Sequence, residues 1–206
     1  REHWKGIFNA HPWLNGPQDS YLGFWKKGGG ATSEHSHGIN IWQYFASVIG
    51  GGRVNEVNAN LTYVKKEKAN YDSLCFLQVK TEKGLIGRIT QDVVTTPASK
   101  IAKIQTHDHT LEWHCNFDKF CDAAIERSDK KNKLTKFPKV RADDFIQEVN
   151  HIDKLLKNKI EKSPLEFHNS LETMLIIAAA HKSANIKKTV YIKYRNDTNF
   201  KEWLKT

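Results

Sequence analysis

No run of apolar residues in the 206-residue sequence approaches the roughly 20 needed to cross a bilayer as a helix. The opening stretch, REHWKGIFNAHPW, lacks the basic-then-apolar layout of a secretory signal, so a cytoplasmic protein with no membrane partner is expected. Cysteine is scarce. Cys75, Cys115 and Cys121 are odd in number and form no C-x-x-C pair, which argues against a disulfide framework and against a thiolate zinc site. They are expected to be reduced packing residues. Internal repeats are absent, and so is an initiating methionine. The chain begins at Arg1 in irregular polar-aromatic sequence, and it is expected to be a piece of something longer.

Acidic residues are outnumbered, 23 against 32 Lys and Arg, giving a net charge of +9. The lysines are scattered, however, and their densest stretch, DKKNKLTKFPKVR at 129–141, reads as a solvated loop. Without a basic stripe interleaved with stacking aromatics, no nucleic-acid partner is expected. A positive field also suits an anionic small substrate. What the chain does have is 39% apolar residues and six Trp. A chain of this length buries about 70% of its unfolded surface, so one domain spanning residues 1–206 is expected.

Residues 1–27 show no sustained period and hold Pro12 and Pro17, which predicts an ordered loop. Ser33 is a good N-cap, and Ile39, Trp42, Phe45, Ala46 and Ile49 recur at helical spacing until Gly50, Gly51 and Gly52 end the pattern. The period then falls to two. Val57, Ala59, Leu61 and Tyr63 alternate with polar residues as a strand. Short polar turns lead to a second strand through Leu74, Phe76 and Val79, then to GLIGRITQDVV, SKIAKIQT and HTLEWHC. Such connections make antiparallel hairpins, because a parallel neighbour needs a long crossover. Two amphipathic helices follow at 142–160 and 170–184, each with an apolar stripe fit to dock on a sheet, and KKTVYIKY supplies a last strand. The order predicts an α+β fold, a predominantly antiparallel open β-sheet with helices packed on one face.

The segment GGGATSEHSHGIN at 28–40 allows three chemistries. Gly28, Gly30 and Ser33 nearly match a dinucleotide-binding fingerprint, but a hairpin meander follows where a βαβ unit should. A metal is the second. His35 and His37, two apart, diverge by about 200° on a helix, and His107, Asp108 and His109 read more easily as a polar turn, so no metal site is expected. The third is proton transfer. Glu34 and His37 are three apart, on one helical face near its first turn, with Asn40 and Tyr44 continuing that face. An imidazole oriented by a carboxylate can move a proton on and off a substrate hydroxyl. The spacing alone equally allows Glu34 to complement the helix N-terminus and His37 merely to pack.

GGGATSEHSHGINIWQYFASVIGGGRVNEVNA resembles the start of the C-terminal domain of the Gfo/Idh/MocA oxidoreductases, where a GGG run leads to an acidic residue, a His and, three residues on, an Asp. IQTHDHTLEWHC resembles a strand-turn-strand of that domain ending in T-L-E-W, and SLETMLIIAAAHKSANIKKTVYI resembles its closing helix and final strand. The resemblance covers most of the chain. It implies an α/β domain whose open sheet forms a homo-oligomer interface, paired with an N-terminal Rossmann domain for NAD or NADP that this sequence does not contain. It further implies oxidation or reduction of a hydroxyl or keto carbon of a sugar, amino sugar or sugar nucleotide, and the SEHSH form is closer to members of surface-polysaccharide and amino-sugar metabolism, which suggests polysaccharide biosynthesis. The fragment alone would be inactive, since the cofactor must be held against the substrate.

By the same resemblance His37 takes the catalytic His, exchanging a proton with the substrate hydroxyl. Glu34 is the nearest match to the acidic residue, three residues from the His where four is usual. Asn40 stands where the family has Asp and is expected to bind substrate. His11, Trp13, Tyr21 and Trp25 are expected sugar contacts, because flat rings pack on the apolar faces of pyranoses, and each could equally be an aromatic tying down the loop. Gln91 and Asp92 are further expected contacts. Two alternatives remain open: a non-redox binding or assembly module on the same scaffold, and a metal-dependent hydrolase using His35, His37, His107 and His109.

Overall fold

Val57 and Ala59 in one long strand and Cys75, Leu77 and Val79 in the next are buried at alternating positions, and against that apolar face the helices pack. The computed structural model describes residues 1, 3–34, 36–66, 68–160, 163–195 and 200–206. In chain order the elements are α1 (Lys5–Ala10), α2 (Gly30–Glu34), α3 (His37–Val48), β1 (Val54–Lys66), β2 (Ala69–Thr81), β3 (Ile86–Asp92), β4 (Lys100–Gln105), β5 (His109–Asp118), β6 (Cys121–Ser128), β7 (Lys131–Pro138), α4 (Arg141–Leu156), α5 (Phe167–Ile186), β8 (Val190–Ile192) and β9 (Leu204–Lys205). All strand pairings within the sheets are antiparallel, as the short turns predict.

The chain forms two units, residues 1–98 with 167–206, and residues 99–166. The first holds a five-stranded sheet in the order β3-β2-β1-β8-β9. Its core joins Ile39 and Ala31 from the early helices, Ile176, Ala179 and Ala180 from α5, and Val190 and Ile192 from β8. Ser183 on α5 accepts the Ala59 N–H at 3.0 Å and donates to the Lys188 carbonyl at 2.7 Å, pinning the helix end to the sheet. The second unit holds the sheet β4-β5-β6-β7 and α4. One sheet was the expectation from sequence; the strands divide between two.

Several elements differ from the sequence reading. The stretch before Gly28 is not loop throughout: α1 lies in it, Trp4 just ahead of α1 is buried, and three 3₁₀ turns follow at Pro17–Asp19, Tyr21–Gly23 and Trp25–Lys27. In β2 the buried face is that of Cys75, Leu77 and Val79, while Phe76 is 46% exposed, so the phase read through Leu74 and Phe76 is off by one. In β1 a register shift falls between Thr62 and Tyr63, and Tyr63, the last residue of the predicted alternation, is 40% exposed. The lysine-rich stretch is no loop either: Lys131–Pro138 is edge strand β7, a place where lysines protect an open edge. Helix α4 forms as predicted, but its stripe of Phe145, Val149, Ile152 and Leu156 lies exposed rather than docked.

Candidate active site

The glycine triplet presses α2 against its surroundings. A side chain at Gly29 would come within 2.3 Å of the Tyr21 and Leu22 carbonyl oxygens, and one at Gly30, where φ is +83°, within 2.1 Å of Asp72 Oδ1. Fully buried Asp72 on β2 accepts from the Thr32 N–H at 2.7 Å and the Thr32 hydroxyl at 2.6 Å, locking α2 to the sheet. From β3, Gln91 Oε1 accepts the Ile39 N–H at 3.0 Å, and Gln91 Nε2 donates to the Ala31 and Thr32 carbonyls at 3.1 and 3.2 Å.

Between these fixed points the chain breaks into two helices. The single helix expected from Ser33 onward is instead α2 ending at Glu34 and α3 beginning at His37. Glu34 and His37 therefore do not share a helical face by i,i+3 spacing; Glu34 closes one helix and His37 opens the next. His37, Asn40 and Tyr44 do line one exposed face of α3. Among the described residues no hydrogen bond or ion pair engages the His37 imidazole, and its ring is exposed to solvent. His35 lies outside the described residues.

Tyr21 donates a 2.7 Å hydrogen bond to Glu34 Oε2, joining two residues singled out from sequence. That bond, then partial burial and the charge of Glu34, raise the Tyr21 phenol above its ordinary value, so Tyr21 is a neutral donor at physiological pH. Trp13 is 71% exposed and meets His11 edge-on at 5.1 Å, while His11 Nδ1 lies 2.7 Å from the Ile7 carbonyl. Nothing in the described structure brings that pair to Glu34 or His37.

Asp92 does not fit the role of substrate ligand. Its carboxylate is fully buried and takes hydrogen bonds from Arg1, the Val94 and Thr95 N–H groups and the Thr95 hydroxyl. Burial pushes its pKa up, but those donors outweigh burial and hold the carboxyl below its ordinary value. It closes the loop after β3. Gln91, equally buried, is likewise withheld from a substrate.

One cluster escaped the sequence reading. His181 on α5 stacks on Trp25 at 4.6 Å, and its Nδ1 lies 2.7 Å from the Tyr63 hydroxyl. Burial lowers the His181 pKa, and burial first, then the Asp72 and Cys75 charges, push the Tyr63 phenol up to about 12. A histidine set in the apolar run LIIAAAH was the available signal. Burial also drives the Cys75 thiol to about 12, which leaves it inert. Among the described residues no three His, Cys, Asp or Glu side chains gather as a metal site; His107 and His109 instead each face Asp108, at 3.6 and 3.0 Å.

No family model and no curated protein matches the chain. Solved structures do. Aldose-aldose oxidoreductase from Caulobacter crescentus, crystallised with glycerol, superposes with a TM-score of 0.68 at 13% identity, over 86% of this chain and 52% of its own. An NAD binding oxidoreductase from Klebsiella pneumoniae gives 0.67 at 12% identity, over 85% and 54%. The WlbA dehydrogenase from Bordetella pertussis, in complex with NADH and UDP-GlcNAcA, gives 0.59 at 14% identity, over 86% and 50%. The chain thus has the α+β fold of the C-terminal domain of these oxidoreductases and spans about half their length.

Proposed function

We propose that this chain is the substrate-binding and oligomerisation domain of a Gfo/Idh/MocA-type, NAD(P)-dependent oxidoreductase acting on a hydroxyl or keto carbon of a sugar, amino sugar or sugar nucleotide. The observation that carries the reading is the solvent-facing His37 at the start of α3, beside a helix end that carries the Tyr21–Glu34 pair, in a fold shared with such enzymes. His37 is the general base or acid for the substrate hydroxyl, a role that needs an accessible imidazole. Glu34 and Tyr21 offer an acceptor and a neutral donor to neighbouring hydroxyls, and Asn40 extends the polar face along α3.

The described residues do not fit the cofactor itself. The glycine run that imitates a dinucleotide fingerprint opens α2 and is followed by antiparallel strands, without the parallel βαβ unit that would carry a pyrophosphate. NAD or NADP belongs to another part of the enzyme, and this chain supplies groups that bind the substrate and move its proton.

In the full-length protein, assayed against a panel of amino sugars and sugar nucleotides with either nicotinamide cofactor, His37→Ala should lower turnover by about 100-fold or more while the circular dichroism spectrum is kept. Near-normal turnover in that variant would remove His37 from the reaction. Stoichiometric carbohydrate binding without cofactor-dependent turnover would favour a non-redox module instead.

A further inference from the structure

We infer that Gln91 is a positioning residue for His37: by capping the end of α2 and the start of α3 together, its side-chain amide sets where the imidazole stands relative to Glu34 and Tyr21. The inference deepens the reading of this segment as an acid–base centre and rests on it.

A helix start leaves backbone N–H groups without intrahelical partners, and α3 starts at His37, shortly after α2 (Gly30–Glu34). The residue at the N-cap of α3, Ser36, makes no side-chain capping bond. Gln91 bonds to both helices. Its oxygen takes the Ile39 N–H, in the first turn of α3, and its two amide hydrogens reach the Ala31 and Thr32 carbonyls of α2. Only a primary amide does all three: a carboxylate cannot donate to two carbonyls, and a thioether does neither.

Two further features show a built contact. Gln91 is 3% exposed and sits in register opposite Cys75 in the antiparallel β2–β3 pair, so its own backbone is held by the sheet. At Gly38, directly after His37, a side chain would come within 2.6 Å of Gln91 Oε1. The amide reaches its partner because residue 38 has no side chain. The orientation of the catalytic segment is therefore set from the sheet through one buried side chain, and Asp72 performs the matching service at Thr32 alone.

The test uses the full-length protein with ring-labelled histidine, the His37 resonance being assigned by its loss in His37→Ala. In Gln91→Met, Gln91→Glu and Gly38→Ala the His37 cross-peak should move and its rate of acylation by diethylpyrocarbonate should change, while exposed His107 keeps both. The Gln91→Glu shift should revert in part on acidification, when a protonated carboxyl regains one donor for α2. In the active enzyme kcat should fall by up to about 100-fold with KM little changed, as for a misplaced catalytic group. A wild-type His37 cross-peak and acylation rate in any folded member of this set, with only the melting temperature lowered, would make Gln91 a plain core residue and overturn the inference. If His37→Ala retains turnover yet the Gln91 variants still move the His37 signal, the oxidoreductase reading fails and the positioning role stands.

Discussion

Tyr21 and Glu34 make the most direct residue-scale claim about the site, because a single hydrogen bond ties a loop residue to the end of a helix. The phenol is raised above its ordinary value chiefly by that bond. Removing the partner with Glu34→Ala should bring the apparent Tyr21 pKa down toward about 10, the value of a free tyrosine. With ring-labelled tyrosine the phenol can be followed by NMR among the six in the chain. An unchanged Tyr21 titration in Glu34→Ala would mean that the pair does not form in solution. Because the bond is exposed, its loss should cost stability no more than about 1 kcal/mol, so an effect on turnover could not be assigned to unfolding. Both residues were legible in the sequence as candidates, yet their contact was not. Thirteen positions separate them, and the close approach of Gly29 to the Tyr21 and Leu22 carbonyls brings the loop to the helix.

Elements follow the same division between what local pattern encodes and what long-range contact decides. The strands with strict alternation and short turns are where the sequence places them, because period two and turn chemistry act within a few residues. The break between α2 and α3 is not encoded that way: the apolar spacing that marks α3 starts at Ile39 and leaves residues 33–38 without a pattern, while from the sheet Gln91 bonds both the Ile39 N–H and two carbonyls of α2, and Asp72 holds Thr32 in the first turn of α2. Strand β7 was hidden for a related reason, since an edge strand rich in lysine has the composition of a solvated loop. The glycines test this account. Gly28→Ala meets no neighbouring atom and carries only the strain of φ +91°, about 1–2 kcal/mol. Gly30→Ala has a similar φ and in addition strikes Asp72 Oδ1, which is fully buried and cannot retreat without releasing Thr32, so it should cost about 3 kcal/mol or more. Urea midpoints of the two variants compare them directly. Equal midpoints would show that α2 is not seated against Asp72 as described.

At the scale of the whole molecule the two units differ in how they are stabilised. The first buries a continuous core drawn from both its helices and its sheet. In the second, strand alternation and register put Ile101 and Leu134 on one face of the β4-β5-β6-β7 sheet and Leu111 and Phe137 on the other, and these four side chains are 55%, 49%, 45% and 49% exposed. A four-stranded sheet with apolar side chains open on both faces gains little from hydrophobic burial by itself, and such surfaces mark places where another surface docks. The proposed homo-oligomer would supply that surface, since a second copy presents the same sheet and an isologous contact is self-complementary. A charge placed there should be costly to the assembly and nearly neutral to the isolated fold, because an exposed apolar-to-Lys change perturbs stability by only about 0.5 kcal/mol. The full-length protein is therefore expected to sediment as an oligomer, and the double variant Ile101→Lys, Leu134→Lys to shift toward monomer with an unchanged circular dichroism spectrum. If the wild-type protein sediments as a monomer at micromolar concentration, the sheet is covered by something other than a copy of itself, and the oligomerisation role falls while the assignment of His37 remains open to its own test.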